Sequence, residues 1–165
     1  MHTMATAAIA RVEQTEAERA AGTVRVRWSN AGHPPPLVIH PDGTIEELST
    51  ARPELMLGVD PLAARTESVV TVDEGATLFL YTDGLVESRE LPLDDGMARL
   101  TMVLAELSGR PLDELCDEVV ERLRPQGLED DIALVAVRLH RNARPGGTGA
   151  EKGLELVRPR RPVER

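Results

Sequence analysis

Aromatic side chains are almost absent. Trp28, Phe79 and Tyr81 are the whole complement among 165 residues. Their scarcity argues against a base-stacking nucleic-acid surface and leaves the core to aliphatic residues. Cysteine is nearly missing too. Cys116 stands alone, so there is no intrachain disulfide and no cysteine cluster for zinc. No apolar run approaches the roughly 18–20 residues of a transmembrane helix. The short apolar stretch from Met4 to Ala10 lacks the basic leader of a signal peptide. A soluble cytoplasmic protein with no membrane or nucleic-acid partner is the expectation.

Positive charge is also in short supply. The formal net charge is −9. Seven basic against three acidic residues follow His140, a surplus of four, which leaves −13 on residues 1–140. Such an acidic body disfavours nonspecific contact with DNA or anionic membrane and is compatible with carboxylates gathered around metal ions. An apolar content of 41% is enough for folding, and the length suits one domain with a single core.

Met4 to Val12 reads as a helix by composition or a buried strand by position. Glu13 to Gly22 reads as a loop or helical turn. From Thr23 to Trp28, Val24, Val26 and Trp28 alternate with Arg25 and Arg27, the period of a half-buried strand. Leu37 to Leu48 reads as a hairpin around Pro41-Asp42-Gly43. Thr66 to Val72 and Ala76 to Thr82 are two strands joined by Asp73-Glu74-Gly75, expected to be antiparallel neighbours. Met97, Leu100, Val103, Leu104 and Leu107 mark a helix, with Asp94 or Asp95 placed to cap it and Gly109 to end it. A second amphipathic helix runs from Leu112 to Leu123 behind Pro111, with Cys116 on its apolar stripe as a packing residue. An apolar strand spans Ile132 to Leu139. Residues 141–165 lack periodicity and read as a disordered basic tail.

Three features carry chemistry. The apolar run Leu78 to Tyr81 breaks off into Thr82-Asp83-Gly84, as a buried strand delivering a carboxylate to its end. Gly84 lets the backbone turn or approach a ligand closely. Asp130-Asp131 enters the strand that begins at Ile132, and Asn30-Ala31-Gly32-His33-Pro34-Pro35-Pro36 forms a turn. If the two strands are neighbours, their acids converge at one sheet edge, where an oxygen-preferring cation such as Mg²⁺ or Mn²⁺ binds. His33 is open to two readings, a ligand or acid, or a structural turn residue.

In this order the three motifs resemble the SpoIIE/RsbU branch of the metal-dependent (type 2C, PPM) protein serine/threonine phosphatases, from about Met4 to Leu139. The resemblance implies an α+β fold: an α-β-β-α sandwich of two antiparallel sheets with helix pairs outside. It implies a two-metal site holding Mn²⁺ or Mg²⁺, with a metal-activated water as the nucleophile that attacks phosphorus. Carried over by position, Asp83 and Asp130 are direct metal ligands; Gly84, Asp131 and His33 support them. The implied substrate is a phosphorylated regulatory protein, an anti-sigma-factor antagonist carrying phosphoserine or phosphothreonine.

The family also carries an earlier motif, an Asp followed by Gly-His-Gly or Gly-Asp-Gly, whose carboxylate bridges both metals. This sequence has none. The expectation is therefore a sandwich with its N-terminal part missing: residues 1–140 a partial phosphatase domain, 141–165 the tail. A lost outer helix layer is expected to leave an apolar sheet face uncovered. The alternative function is an inactive remnant that acts as a binding or regulatory module.

Overall fold

The computed structural model describes residues 3–50, 52, 54–87, 92–123, 131–140 and 154–157. Two antiparallel sheets form. Strand β1 (Ala7–Glu13), β2 (Thr23–Ala31) and β5 (Ser68–Asp73) make the smaller sheet, in the order β1-β2-β5. The larger holds β3 (Leu37–Ile39), β4 (Ile45–Glu47), β6 (Thr77–Tyr81), β7 (Leu134–Leu139) and β8 (Leu154–Val157), in the order β4-β3-β6-β7-β8. The helices are α1 (Glu16–Ala21), α2 (Leu93–Glu106) and α3 (Leu112–Leu123).

Two cores explain the layering. Val24, Val26, Trp28 and Val72 of the small sheet meet Val38, Leu78 and Leu139 of the large one, so the sheets pack face to face. The other face of the large sheet presents Leu37, Phe79, Tyr81 and Leu134 to Leu100, Leu104, Leu115 and Val119 of α2 and α3. Leu100, Leu104 and Leu115 are fully buried, and each such leucine contributes about 1.5–3 kcal/mol through burial. The structure is thus α+β, a small sheet, a large sheet and a helix pair in layers. Among the described residues no helix is long and apolar enough to cross a membrane.

The alternation from Thr23 to Trp28 and the hairpin at Pro41 to Gly43 form where the sequence places them. Met4 to Val12 resolves as the edge strand β1, half-buried rather than buried. The polar stretch after it is α1, started by a capping box between Thr15 and Glu18. Asp94 and Asp95 lie in the first turn of α2 instead of capping it, the residue before the helix being Pro92. There they still favour the positive end of the helix dipole.

Three expectations are corrected. First, β5 and β6 are not neighbours: β5 pairs with β2, while β6 lies between β3 and β7. β5 has one apolar row, Val70 and Val72, and suits a sheet with a solvated face. β6 is apolar on both faces and needs cover on both, so the turn at Glu74-Gly75 crosses between sheets. Second, the outer face of the small sheet is not apolar. It carries Arg11, Glu13, Arg25, Arg27 and Thr71, with only Ile9 and Val69 as large apolar residues. Arg11 and Arg27 sit directly opposite each other, and Glu13 pairs with both. Glu67 bonds Arg27 at 2.7 Å, and Glu18 pairs with Arg25. Third, the stretch read as a structureless tail contains β8, whose ladder runs from Ala136 opposite Val157 to Leu139 opposite Leu154. The remainder of that stretch lies outside the described residues.

Candidate metal site at one end of the large sheet

Strand β6 runs antiparallel to β7, with Tyr81 opposite Leu134. The end of β6 and the start of β7 therefore lie at the same end of the sheet, and Asp83 and Asp131 lie there with them. The ladder continues past the strands. Thr82 N–H donates to the Ala133 carbonyl at 2.9 Å. The Thr82 hydroxyl accepts from Ala133 N–H at 2.9 Å and donates to the Asp131 carbonyl at 3.1 Å.

The chain then closes a single 3-10 turn, Asp83–Leu85. The Asp83 carbonyl accepts from Val86 and Glu87 N–H, each at 2.8 Å. Leu85 and Val86 are 3% and 2% exposed and peg this turn into the core beneath α2. The Asp83 side chain is exposed, and its Oδ1 accepts from Gly84 N–H at 3.0 Å. An apolar anchor on one side and a backbone N–H on the other thus hold an exposed carboxylate at the end of β6.

Asp131 is exposed at the same end. Asp130 lies outside the described residues. The Gly32–His33 turn reaches this end too, because β3 runs antiparallel to β6 with Leu37 opposite Phe79. His33 itself is built into the turn. Its N–H donates to Asn30 Oδ1 at 2.8 Å, its carbonyl accepts from Asn30 Nδ2 at 2.7 Å, and its Nδ1 lies 3.0 Å from the Thr6 hydroxyl. Beside it opens a pocket of about 210 Å³ lined by Trp28, Asn30, Pro35, Glu47 and Glu54.

Two exposed carboxylates on strand ends suit a hard divalent cation. Among the described residues no group of three His, Cys, Asp or Glu side chains is arranged to hold a metal. Cys116 is fully buried between α3 and its neighbours, and burial pushes its thiol up to about 11, with Asp117 and Asp113 adding to the effect. It offers no thiolate to the site.

Sequence reasoning placed Thr82 in a strand-end motif and Met97 on a helix stripe without giving either a site role, and did not single out Gly96 or the pocket. For Gly96 a signal existed, an isolated glycine inside an amphipathic helix pattern. For Thr82 none did, because its partners lie about fifty residues away.

An α+β fold of two antiparallel sheets with few helices is also that of PP2C-type phosphatase domains. The family described as Stage II sporulation protein E (SpoIIE) matches residues 3–140, and the chain belongs to that family. Solved structures agree. The RsbU and RsbW domains of Rv1364c from Mycobacterium tuberculosis align at 26% identity with a TM-score of 0.62, over 72% of this chain and 36% of that one. The phosphatase domain of SpoIIE from Bacillus subtilis (Mn presoaked) aligns at 18% identity and a TM-score of 0.58, over 84% and 58%. The SiaA-PP2C domain of Pseudomonas aeruginosa aligns at 21% and 0.53, over 69% and 46%. The last two show the fold alone. The chain spans less than two thirds of the length of each of these structures.

Proposed function

We propose that this chain supplies one carboxylate-bearing end of a metal-dependent protein serine/threonine phosphatase. Its substrate is a phosphoserine or phosphothreonine in a regulatory protein, and its cation is Mn²⁺ or Mg²⁺. The observation that carries this reading is the convergence of Asp83 and Asp131 at adjacent ends of β6 and β7. Asp130, beside Asp131, is proposed as the second direct ligand. The Mycobacterium tuberculosis neighbour joins RsbU and RsbW domains, which supports a regulatory protein as the partner. A cytoplasmic setting belongs to the same reading.

A bound divalent cation supplies charge to phosphoryl oxygens and acidifies a water. The chain's own part is positional. Asp83 offers a carboxylate held by Gly84 N–H, and Gly84 leaves room for close approach. Thr82 fixes the Asp131 backbone against β6. Because the sequence carries no Asp followed by Gly-His-Gly or Gly-Asp-Gly to bridge two cations, turnover by this chain alone is expected to be weak.

The test is p-nitrophenyl phosphate hydrolysis and Mn²⁺ calorimetry on the purified chain beside Asp83→Ala. Mn²⁺ binding that the variant loses supports the reading. Turnover and binding indifferent to Asp83 defeat it. The missing bridging motif also favours a second reading, a regulatory module that binds its partner without turnover. Mn²⁺ binding through Asp83 with no hydrolysis at any Mn²⁺ concentration selects it.

A further inference from the structure

We propose that Gly96, in the first turns of α2, is a positioning residue for Asp83: the helix holds the turn after β6 at both of its ends and so sets where the carboxylate stands. This rests on the reading of Asp83 as a metal ligand.

The downstream grip is a backbone contact. Gly96 is buried, and a Cβ built on it would stand 1.8 Å from the Val86 carbonyl oxygen and 2.7 Å from the carbonyl carbon. The α2 backbone therefore rests directly on the Val86 peptide. Any side chain at 96 forces the helix and the turn apart by roughly 1 Å, because the packed interior has no slack to absorb it. Val86 is two hydrogen bonds' worth of geometry from the ligand: its own N–H and that of Glu87 both end on the Asp83 carbonyl at 2.8 Å.

The upstream grip is the next residue of the same helix. The buried Tyr81 hydroxyl donates to Met97 Sδ at 3.0 Å. Tyr81 is the last residue of β6, two before Asp83. Gly96 and Met97 thus bracket the segment from Tyr81 to Val86, and Thr82 within it also ties down Asp131. Leu100 and Leu104, fully buried on the sheet, make α2 a stiff reference for this bracket.

Gly96 touches neither substrate nor cation, so its effect has to be read as metal affinity separated from fold stability. Mn²⁺ titration calorimetry and amide exchange on the purified chain give that separation. Gly96→Ala is expected to weaken Mn²⁺ binding by about tenfold or more, as losses of supporting groups around metal ligands do. The Val86 and Glu87 amides should also exchange faster. Ala98→Gly, on the exposed side of the same helix, loosens α2 without touching the turn and should keep wild-type affinity. Equal weakening in Ala98→Gly would overturn the proposal, since general helix softening would then suffice. So would wild-type affinity and exchange in Gly96→Ala while Asp83→Ala loses Mn²⁺. If Asp83→Ala itself keeps wild-type binding, the metal reading of Asp83 fails, and the positioning role falls with it. Should Gly96→Ala not fold, Met97→Leu decides. It keeps the helix volume and removes the Tyr81 acceptor, so about threefold weaker binding upholds the bracket, and unchanged binding overturns it.

Discussion

The hydroxyl of Thr82 donates to the main-chain oxygen of Asp131 at 3.1 Å across 49 residues of sequence. The same hydroxyl accepts from Ala133 N–H at 2.9 Å. One small side chain thereby extends the β6–β7 ladder to the point where the two acids leave the sheet. Thr82→Val keeps the shape and β-branching but removes both bonds. The partners are part-exposed and regain water, so the stability cost is about 1 kcal/mol. Mn²⁺ affinity should fall about tenfold, because the Asp131 backbone loses its tie. Urea midpoints and calorimetry measure the two effects separately. Undiminished Mn²⁺ affinity would detach Thr82 from the site.

Cys116 reports on the helix layer. Its side chain is fully buried and its thiol is raised to about 11. At pH 8 only about one thiol in a thousand is then ionised, and the reagent has no path to it. Iodoacetamide should label the native protein very slowly and label it completely in denaturant. Rapid native labelling would mean that α3 opens from the sheet on the labelling timescale.

Glu18 should make α1 sensitive to acid. Hydrogen bonds from the Thr15 backbone N–H and then the Thr15 hydroxyl hold its carboxyl below the ordinary 4.5, with Arg25 adding to them. A lowered folded-state value means the stabilisation is fully present above pH 4.5 and is lost as pH falls through the folded value. Melting curves at pH 7 and pH 3 should therefore separate wild type from Glu18→Gln. The wild type should lose more on acidification. An identical loss in both would remove Glu18 from the acid response.

Much of the candidate site was legible because its signals are local. An apolar run that stops at Asp83-Gly84 is a strand with an acid at its end, whatever surrounds it. The Pro41 to Gly43 turn and the stripes at Leu100, Leu104, Leu115 and Val119 follow from the same short-range chemistry. The contacts that hold the acid-bearing segments in place are not local. Thr82 to Asp131, Gly96 to Val86 and Tyr81 to Met97 join segments 49, 10 and 16 residues apart. No period in the sequence encodes them.

Sequence alone therefore determined most elements between Thr23 and Leu139, their amphipathic faces and the acid after β6, since these depend on propensity and periodicity within a few residues. Tertiary structure decided that β5 and β6 part company, because a strand apolar on both faces needs cover on both and a strand with one apolar row does not. It decided that Leu154–Val157 becomes β8, because four residues gain strand character from a neighbour's ladder rather than from their own pattern. It also decided that the outer face of the small sheet is an arginine–glutamate lattice. The partners of Arg25 and Arg27 include Glu18 on α1 and Glu67 ahead of β5, and only the packed chain brings those charges within reach.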